Sequence, residues 1–156
     1  MYNHAPAGYE CPFCLIARAV ENDFLATKQS DIIYKDDRLI AWIASKQFKT
    51  NQGATVISPL AHYENLYDLP SEYGNELLSF AKKTSFAMKD AYRCDGTTLI
   101  QHNEPHGGQS VWHYHLLVFP RFSGDAFFEN CTDGYDTTPS ERLLYAVKLR
   151  SALNSQ

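Results

Sequence analysis

The sequence predicts an α+β protein: an antiparallel β-sheet of about five strands, with one long helix and a C-terminal helix. Three observations predict this. Short segments rich in β-branched and aromatic residues lie on both sides of a single long helix-patterned stretch. The first two of these segments are separated only by the turn-forming pair Asp36-Asp37, which makes a hairpin. A late segment, Val111–Phe119, alternates strongly and is ended by Pro120.

In chain order, Leu15–Val20 suits a short helix, and Asp31–Tyr34, Leu39–Ile43 and Ala54–Ser58 suit strands of an antiparallel meander. Between the last two, the polar connection Ser45–Gly53 carries Lys46, Lys49 and the turn signal Asn51-Gln52-Gly53, and is placed to overhang a site. Pro70-Ser71-Glu72 opens the long helix, which runs to about Tyr92 with Leu77, Leu78, Ala81, Phe86 (imperfectly), Met88 and Tyr92 approximating one face; Asp95-Gly96 stops it. Thr97–Gln101 and Val111–Phe119 follow as strands. Thr138-Pro139-Ser140-Glu141 reads as the start of a last helix, with Leu143, Leu144, Val147 and Leu153 as its apolar stripe.

With 156 residues, 44% hydrophobic, the chain is long enough for one sizeable core. The expectation is a single domain over 1–156: a Cys-bearing segment 1–30, a core 31–121, and a tail and helix 122–156. The 14 Lys+Arg against 18 Asp+Glu give a formal charge of −4, which argues against a nucleic-acid polymer as partner. The opening residues lack a basic start and an apolar run of signal-peptide length, and no run of about 18 apolar residues occurs, so a cytoplasmic protein without a membrane partner is expected. Four Cys and six His are the unusual counts, and four of the His fall between His102 and His115.

In a strand over Val111–Phe119, His113, His115 and Leu117 project one way, while Trp112, Tyr114, Leu116 and Val118 project the other, toward a core. Upstream, His106-Gly107-Gly108-Gln109-Ser110 is a loop whose backbone amides can approach an anion, because glycine carries no Cβ. A lone strand histidine most often fills space. Two on one face, directly after Gly-Gly-Gln-Ser, point instead to a phosphate site.

The run from Gly108 to Arg121, GQSVWHYHLLVFPR, resembles the signature of the histidine triad (HIT) family of nucleotide hydrolases and transferases. Family-like passages also occur at Cys11-Pro12-Phe13-Cys14, at Asp36-Asp37-Arg38-Leu39 and from Thr55 to Leu66, so the resemblance covers Cys11 to about Asp125. It implies covalent catalysis at the α-phosphate of a nucleotide or nucleoside phosphoramidate, with His115 as nucleophile and Gln109 and Ser110 as donors to the phosphate or leaving-group oxygen. Trp42, His102, Asn103, His106 and Gly108 are the expected ligand-binding residues. The resemblance also implies a homodimer.

Two departures stand out. The family's third histidine falls on Leu117, which has no polar group. Where the family usually places an aspartate for the sugar hydroxyls, the sequence after Trp42-Ile43 is Ala44-Ser45-Lys46, and the usual Asn or Gln of the next pocket segment falls on His102 or Asn103. Both features leave open a nucleotide-binding module with little turnover.

Cys11-x-x-Cys14 has the spacing of half a thiolate zinc knuckle; a redox pair or two plain buried thiols share that spacing. A branch of the resembled family closes a Cys₂His₂ tetrahedron with two histidines, matching His62 and His113 here. The resemblance thus implies a structural zinc on Cys11, Cys14, His62 and His113. A rival arrangement puts a catalytic zinc on His113 and His115, with His106 or His102 as third ligand. Cys94 and Cys131 lack partners at useful spacing and read as structural or incidental.

Overall fold

The computed structural model of the chain describes residues 2–130 and 134–156. The Cys-bearing segment enters helix α1 (Pro12–Ala17), with Pro12 in the first turn, where a missing N–H costs nothing. This helix begins earlier than the Leu15–Val20 expected from sequence. Strands β1 (Ile32–Lys35) and β2 (Leu39–Ile43) form the hairpin. The Asp36 carboxylate fixes its turn by accepting the N–H groups of Arg38 at 2.8 Å and Leu39 at 2.6 Å.

After β2 come the two-residue strand β3 (Lys46–Gln47), then β4 (Thr55–Pro59) and the long helix α2 (Ser71–Tyr92), ended by Arg93 in the left-handed conformation with φ 58°. The chain continues through β5 (Gly96–Gln101), β6 (Leu116–Arg121), the short α3 (Phe127–Asn130), β7 (Tyr135–Asp136) and α4 (Pro139–Asn154). Thr138 caps α4 through a capping box with Glu141.

The main sheet is antiparallel throughout, in the order β1-β2-β4-β6-β5, as the expected fold class requires. One face, carrying Ile33, Leu39, Ile57, Leu116 and Val118, buries against α2 and α4. The opposite face, carrying Ile40, Trp42, Val56 and Phe119, buries against α1 residue Ile16 and Phe127, with Phe13 and Leu117 packed at its margin. Alternation along β6 therefore sorts its side chains as read from sequence, with Leu116 and Val118 on the helix side and Leu117 and Phe119 on the other.

Three local expectations change. β6 starts at Leu116, so both histidines lie in a lead-in that bends over residues 111–113, rather than inside the strand. It runs through Pro120, which lies beyond the Thr55–Val118 pair that ends the β4–β6 ladder, so its missing N–H costs no bond to β4, and its carbonyl accepts from Asn51 Nδ2 at 2.8 Å. The buried face of α2 is Tyr73, Leu77, Phe80, Ala81, Thr84, Ala87 and Met88, while Leu78 and Phe86 are exposed.

The stripe on α4 is also displaced. Leu143, Leu144 and Val147 are exposed, and the buried face is Arg142, Ala146, Leu149 and Leu153. A charged residue leads that face because its partner is buried too. Arg142 Nε donates to Asp31 Oδ2 at 2.8 Å, with the two side chains 1% and 0% exposed. The Arg142 guanidinium also donates to the carbonyls of Thr137 and Ala26, so α4, the approach to β1 and the β7–α4 turn meet at one cation.

Removing one member of such a pair strands the other charge in the core. Arg142→Ala is expected to cost about 3–5 kcal/mol of stability in denaturant unfolding, whereas the double change Asp31→Leu with Arg142→Met recovers most of the loss. Equal stabilities of wild type and Arg142→Ala would show that the pair carries no such role.

Candidate active site and metal centre

The lead-in to β6 brings two groups of residues together. On one side, Cys11, Cys14, His62 and His113 converge so that one ligating atom from each lies within 4.8 Å of the others. Cys11 Sγ is 3.3 Å from His113 Nδ1, Cys14 Sγ is 3.6 Å from that same nitrogen, and Cys14 Sγ is 3.4 Å from His62 Nδ1. The His113 Nε2–H donates to the Pro59 carbonyl at 3.0 Å, which fixes the tautomer and leaves Nδ1 facing the cysteines. Burial holds the His113 imidazole neutral, down to about 4, and raises the Cys11 thiol above its ordinary value. A neutral imidazole nitrogen and two thiol sulfurs, converging with a second imidazole, form a donor set suited to a metal ion.

On the other side, the His115 ring turns into a cleft of about 280 Å³. Its Nδ1–H donates to the His113 carbonyl at 2.8 Å, and Nε2 has no hydrogen-bond partner among the described residues. Burial lowers the pKa of His115, so the ring stays neutral near pH 7 with a lone pair on Nε2. Trp42, His102, Gly108 and Ser110 line the same cleft, as expected. Phe13, set between the two cysteines, lies edge-on to His115 with ring centroids 5.2 Å apart and to Trp42 at 4.8 Å.

The remaining expected residues sit elsewhere. Gln109 does not line the cleft: its Nε2 donates to the carbonyls of Glu64 at 2.6 Å and Val111 at 3.0 Å, and its Oε1 accepts the Glu104 N–H at 2.9 Å. With every polar atom engaged by backbone, it braces the loop instead of facing a ligand. Asn103 exchanges hydrogen bonds with Gln101 and accepts the N–H of Leu66 at 2.9 Å, also outside the cleft lining. His106 is exposed on a three-residue turn, Pro105–Gly107, and does not line the cleft.

The loop amides differ from expectation for a related reason. The N–H groups of Gly107 and Gln109 donate to the Glu104 carbonyl, and that of Gly108 donates to Pro105. Among the loop residues lining the cleft, Ser110 and the N–H of Val111 make no hydrogen bond to the described residues. Phe48, Phe119 and Thr27 also line the cleft and carried no sequence signal, because they come from segments far apart in the chain. Leu117 forms part of the floor. Cys94 is buried in the helix-side core, whereas Cys131 lies outside the described residues. Among the described residues, no helix is long and apolar enough to cross a membrane.

Sheet order, helix placement and paired histidines at the head of a central strand define a class of small α+β proteins built around a histidine-bearing cleft. A family model described as the HIT domain matches residues 26–124, and the chain belongs to the HIT family. Among curated relatives, it is 28% identical over 115 residues to Protein hit of Bacillus subtilis, covering 73% of this chain and 75% of that protein. It is 26% identical over 115 residues to the bis(5'-adenosyl)-triphosphatase of Dictyostelium discoideum, covering 74% of each. Among solved structures, a Zn-bound histidine triad family protein from Mycobacterium smegmatis superposes with a TM-score of 0.76 over 94% of both chains, at 24% identity.

Gly108 adopts φ 85°, and a Cβ there would stand 3.0 Å from His102 Nδ1. The His102 ring cannot move freely, since its Nδ1–H donates to the Gly107 carbonyl at 2.7 Å. Gly108→Ala is therefore expected to weaken ligand binding to the cleft at least about tenfold while changing stability by only about 1–2 kcal/mol. Calorimetric titration with a nucleoside monophosphate beside thermal unfolding separates the two effects; unchanged affinity would mean that loop geometry is irrelevant to the cleft.

Proposed function

We propose that the protein is a nucleotide phosphohydrolase or nucleotidyl transferase, acting at the α-phosphate of a nucleoside phosphate or phosphoramidate through a covalent nucleotidyl-His115 intermediate. The observation that carries this reading is the His115 ring itself: neutral, clamped at Nδ1 by a backbone carbonyl, with Nε2 free at the end of a cleft. Membership of the HIT family and similarity to a bis(5'-adenosyl)-triphosphatase support it.

In the first step, Nε2 forms a bond to the α-phosphorus as the bond to the leaving group breaks, and that bond's electron pair departs with the leaving group. In the second, water attacks the phosphorus and the P–N bond breaks, restoring neutral His115. The balance is one water consumed: its hydroxyl goes to the nucleoside monophosphate, and its proton replaces the one the leaving group has taken up. Ser110 donates to the oxygens that gain charge, a role supported by its position in the cleft lining and its lack of any other hydrogen bond among the described residues. Leu117 offers no donor to the phosphate, and loss of one such contact costs roughly 2.7–4 kcal/mol, about a hundred- to a thousandfold in rate. Slow turnover is the consequence.

We assign the Cys/His quartet to a structural zinc ion. Sulfur and nitrogen ligands of a tetrahedral zinc stand roughly 3.6 Å apart, and the S···N separations here are 3.3, 3.4 and 3.6 Å. The description of the Mycobacterium smegmatis protein as Zn-bound supports the assignment. When bound, the ion would tie the Cys11–Cys14 segment to the β6 lead-in. We extend the reading to a homodimer in the cytoplasm; the half-exposed Leu99 on edge strand β5 supports a partner at that edge.

Incubation of wild type with nucleoside phosphoramidates and dinucleoside polyphosphates is expected to release nucleoside monophosphate, with a nucleotidyl adduct on His115 in intact-mass spectra after rapid quench. His115→Ala forms no adduct and releases none. A His115→Ala protein as active as wild type would remove His115 from the mechanism. Nucleotide affinity without turnover would select a binding module.

The purified protein is expected to hold about one zinc per chain, and Cys11→Ser to lose both the metal and thermal stability. Metal-free protein with an undiminished melting temperature would reduce the quartet to plain thiols and imidazoles.

A further inference from the structure

Two imidazoles line the cleft, and the sheet sets them side by side. β5 and β6 pair antiparallel, with Ile100 opposite Leu117 and Gln101 opposite Leu116. Continuing that register by one residue puts His102 opposite His115. Ile100 and Leu117 both pack into the cleft-side cluster, so the residues two places along, His102 and His115, return to the same face. Facing residues of such a pair have Cβ atoms roughly 5 Å apart. The pairing is felt electrostatically: burial lowers the pKa of His115 most, and a charge on His102 lowers it further.

The two rings are held alike. Each gives its Nδ1–H to a backbone carbonyl, His115 to that of His113 at 2.8 Å and His102 to that of Gly107 at 2.7 Å. The Nδ1 edge of His102 is the one turned to the loop, since Nδ1, Cε1 and Cγ are its atoms nearest the place a Gly108 Cβ would take. Its Nε2 is therefore turned off the loop, and it makes no hydrogen bond with the described residues. Burial separates the pair, with His115 buried and His102 half-buried. Burial favours the neutral ring and contact with water tolerates the cation, so a proton taken up by the pair resides on His102.

In-line displacement carries the leaving atom to the side of phosphorus opposite His115 Nε2. An amine or alcohol leaving there needs a proton, and the nucleophile has none to give. Among the described residues lining the cleft, the other ionisable side chains are His102 and Lys46. A lysine ammonium is a weak acid, with an ordinary pKa of about 10, whereas an imidazolium exchanges its proton near pH 7. The titratable groups on the loop that follows His102 lie outside the lining: Glu104, paired with His4 at 3.0 Å, and the exposed His106.

We infer that His102 is the proton-transfer residue of the reaction, an acid toward the leaving group and then a base toward water. The inference rests on the nucleotide reading above and adds a catalytic residue to it. In the first step, the His102 Nε2 proton passes to the leaving nitrogen or oxygen as that atom's bond to phosphorus breaks and the bond from His115 Nε2 to phosphorus forms. In the second, neutral His102 takes a proton from water as the water oxygen bonds to phosphorus and the P–N bond breaks. His115 is restored neutral and His102 protonated, with one water consumed. His102 serves the leaving atom, so the phosphate contact that Leu117 lacks stays unfilled.

The test compares two substrates that differ in the leaving group alone: the p-nitrophenyl ester of adenosine 5'-monophosphate, whose leaving group is stable without a proton, and an alkylamine phosphoramidate of the same nucleotide, whose leaving group is not. Formation of the His115 adduct is followed by rapid quench and intact mass in the full-length, metal-replete wild type and in His102→Gln, which keeps a hydrogen-bonding group but cannot ionise. Melting temperature and affinity for adenosine 5'-monophosphate are checked first, and His102→Asn takes the place of His102→Gln where the fold is weakened. General acid assistance is worth about a hundredfold or more, so His102→Gln is expected to slow the phosphoramidate by about that factor and by at least about tenfold more than the ester. Equal slowing of the two substrates, or no slowing of either, overturns the inference and leaves His115 as nucleophile. Absence of any adduct in wild type with both substrates overturns the nucleotide reading, and the inference falls with it.

Discussion

His113 joins three parts of the molecule that would otherwise be independent. Its Nε2–H is anchored to the Pro59 carbonyl at the end of β4, its Nδ1 faces the two cysteines, and its own carbonyl fixes Nδ1 of His115. A strand end, a candidate metal cluster and the proposed nucleophile are therefore oriented by one residue. Two-residue spacing makes this work: the His113 carbonyl lies within reach of the His115 ring at 2.8 Å, so the first side chain can serve the cluster while the second enters the cleft. Phe13 repeats the coupling from the other direction. Its ring lies 5.8 Å from that of His113 and 5.2 Å from that of His115, on a backbone that Cys11 and Cys14 hold from either side. Disturbance of the cluster is thereby transmitted to the cleft wall through packed rings as well as through backbone.

The loop before this lead-in is rigid for a different reason. Glu104, at φ 62°, starts a turn in which Gly107, Gly108 and Gln109 all donate internally. The Gln109 amide then ties that turn to the Glu64 carbonyl. Glu64 is itself buried, and its carboxylate accepts the backbone N–H groups of His4 and Ala5. His4 also pairs with Glu104 at 3.0 Å. The N-terminal residues thus clasp the same loop from outside. A loop braced in this way holds Ser110, which lines the cleft, in place before any ligand arrives.

Local chemistry made much of the fold legible in the sequence. The Asp36 turn, the Pro70-Ser71 helix start, the Thr138–Glu141 capping box and the alternation from Tyr114 to Phe119 each depend on neighbours in the chain, and each reads correctly. The helix faces read less well because apolar residues also occur on exposed positions. Leu144 and Val147 are more hydrophobic than Arg142, yet Arg142 is buried, since its partner Asp31 lies 111 residues away where no periodicity points to it. At the site, Trp42 reaches the cleft from strand β2, His115 from the residue just before β6, and Gly108 and Ser110 from the glycine-bearing loop that the sequence marks beside it. Gln109 reads wrongly because residue type alone cannot say whether an amide faces a ligand or satisfies a backbone carbonyl across the fold.

Leu117 and Lys46 together give the cleft a polarity that neither shows alone. A polar residue at 117 would put a hydrogen-bonding group in the middle of the floor, flanked by Val56 and Trp42 in the register. Leucine makes that stretch continuous with Phe119 and Phe48. An apolar middle suits a flat base or a sugar's carbon face and rejects charge, because an ion moved there would give up hydration without finding a partner. Charge recognition is thereby left to the imidazoles and Ser110 around the proposed nucleophile and to Lys46 on the cleft wall, so the floor itself contributes shape and apolar contact only.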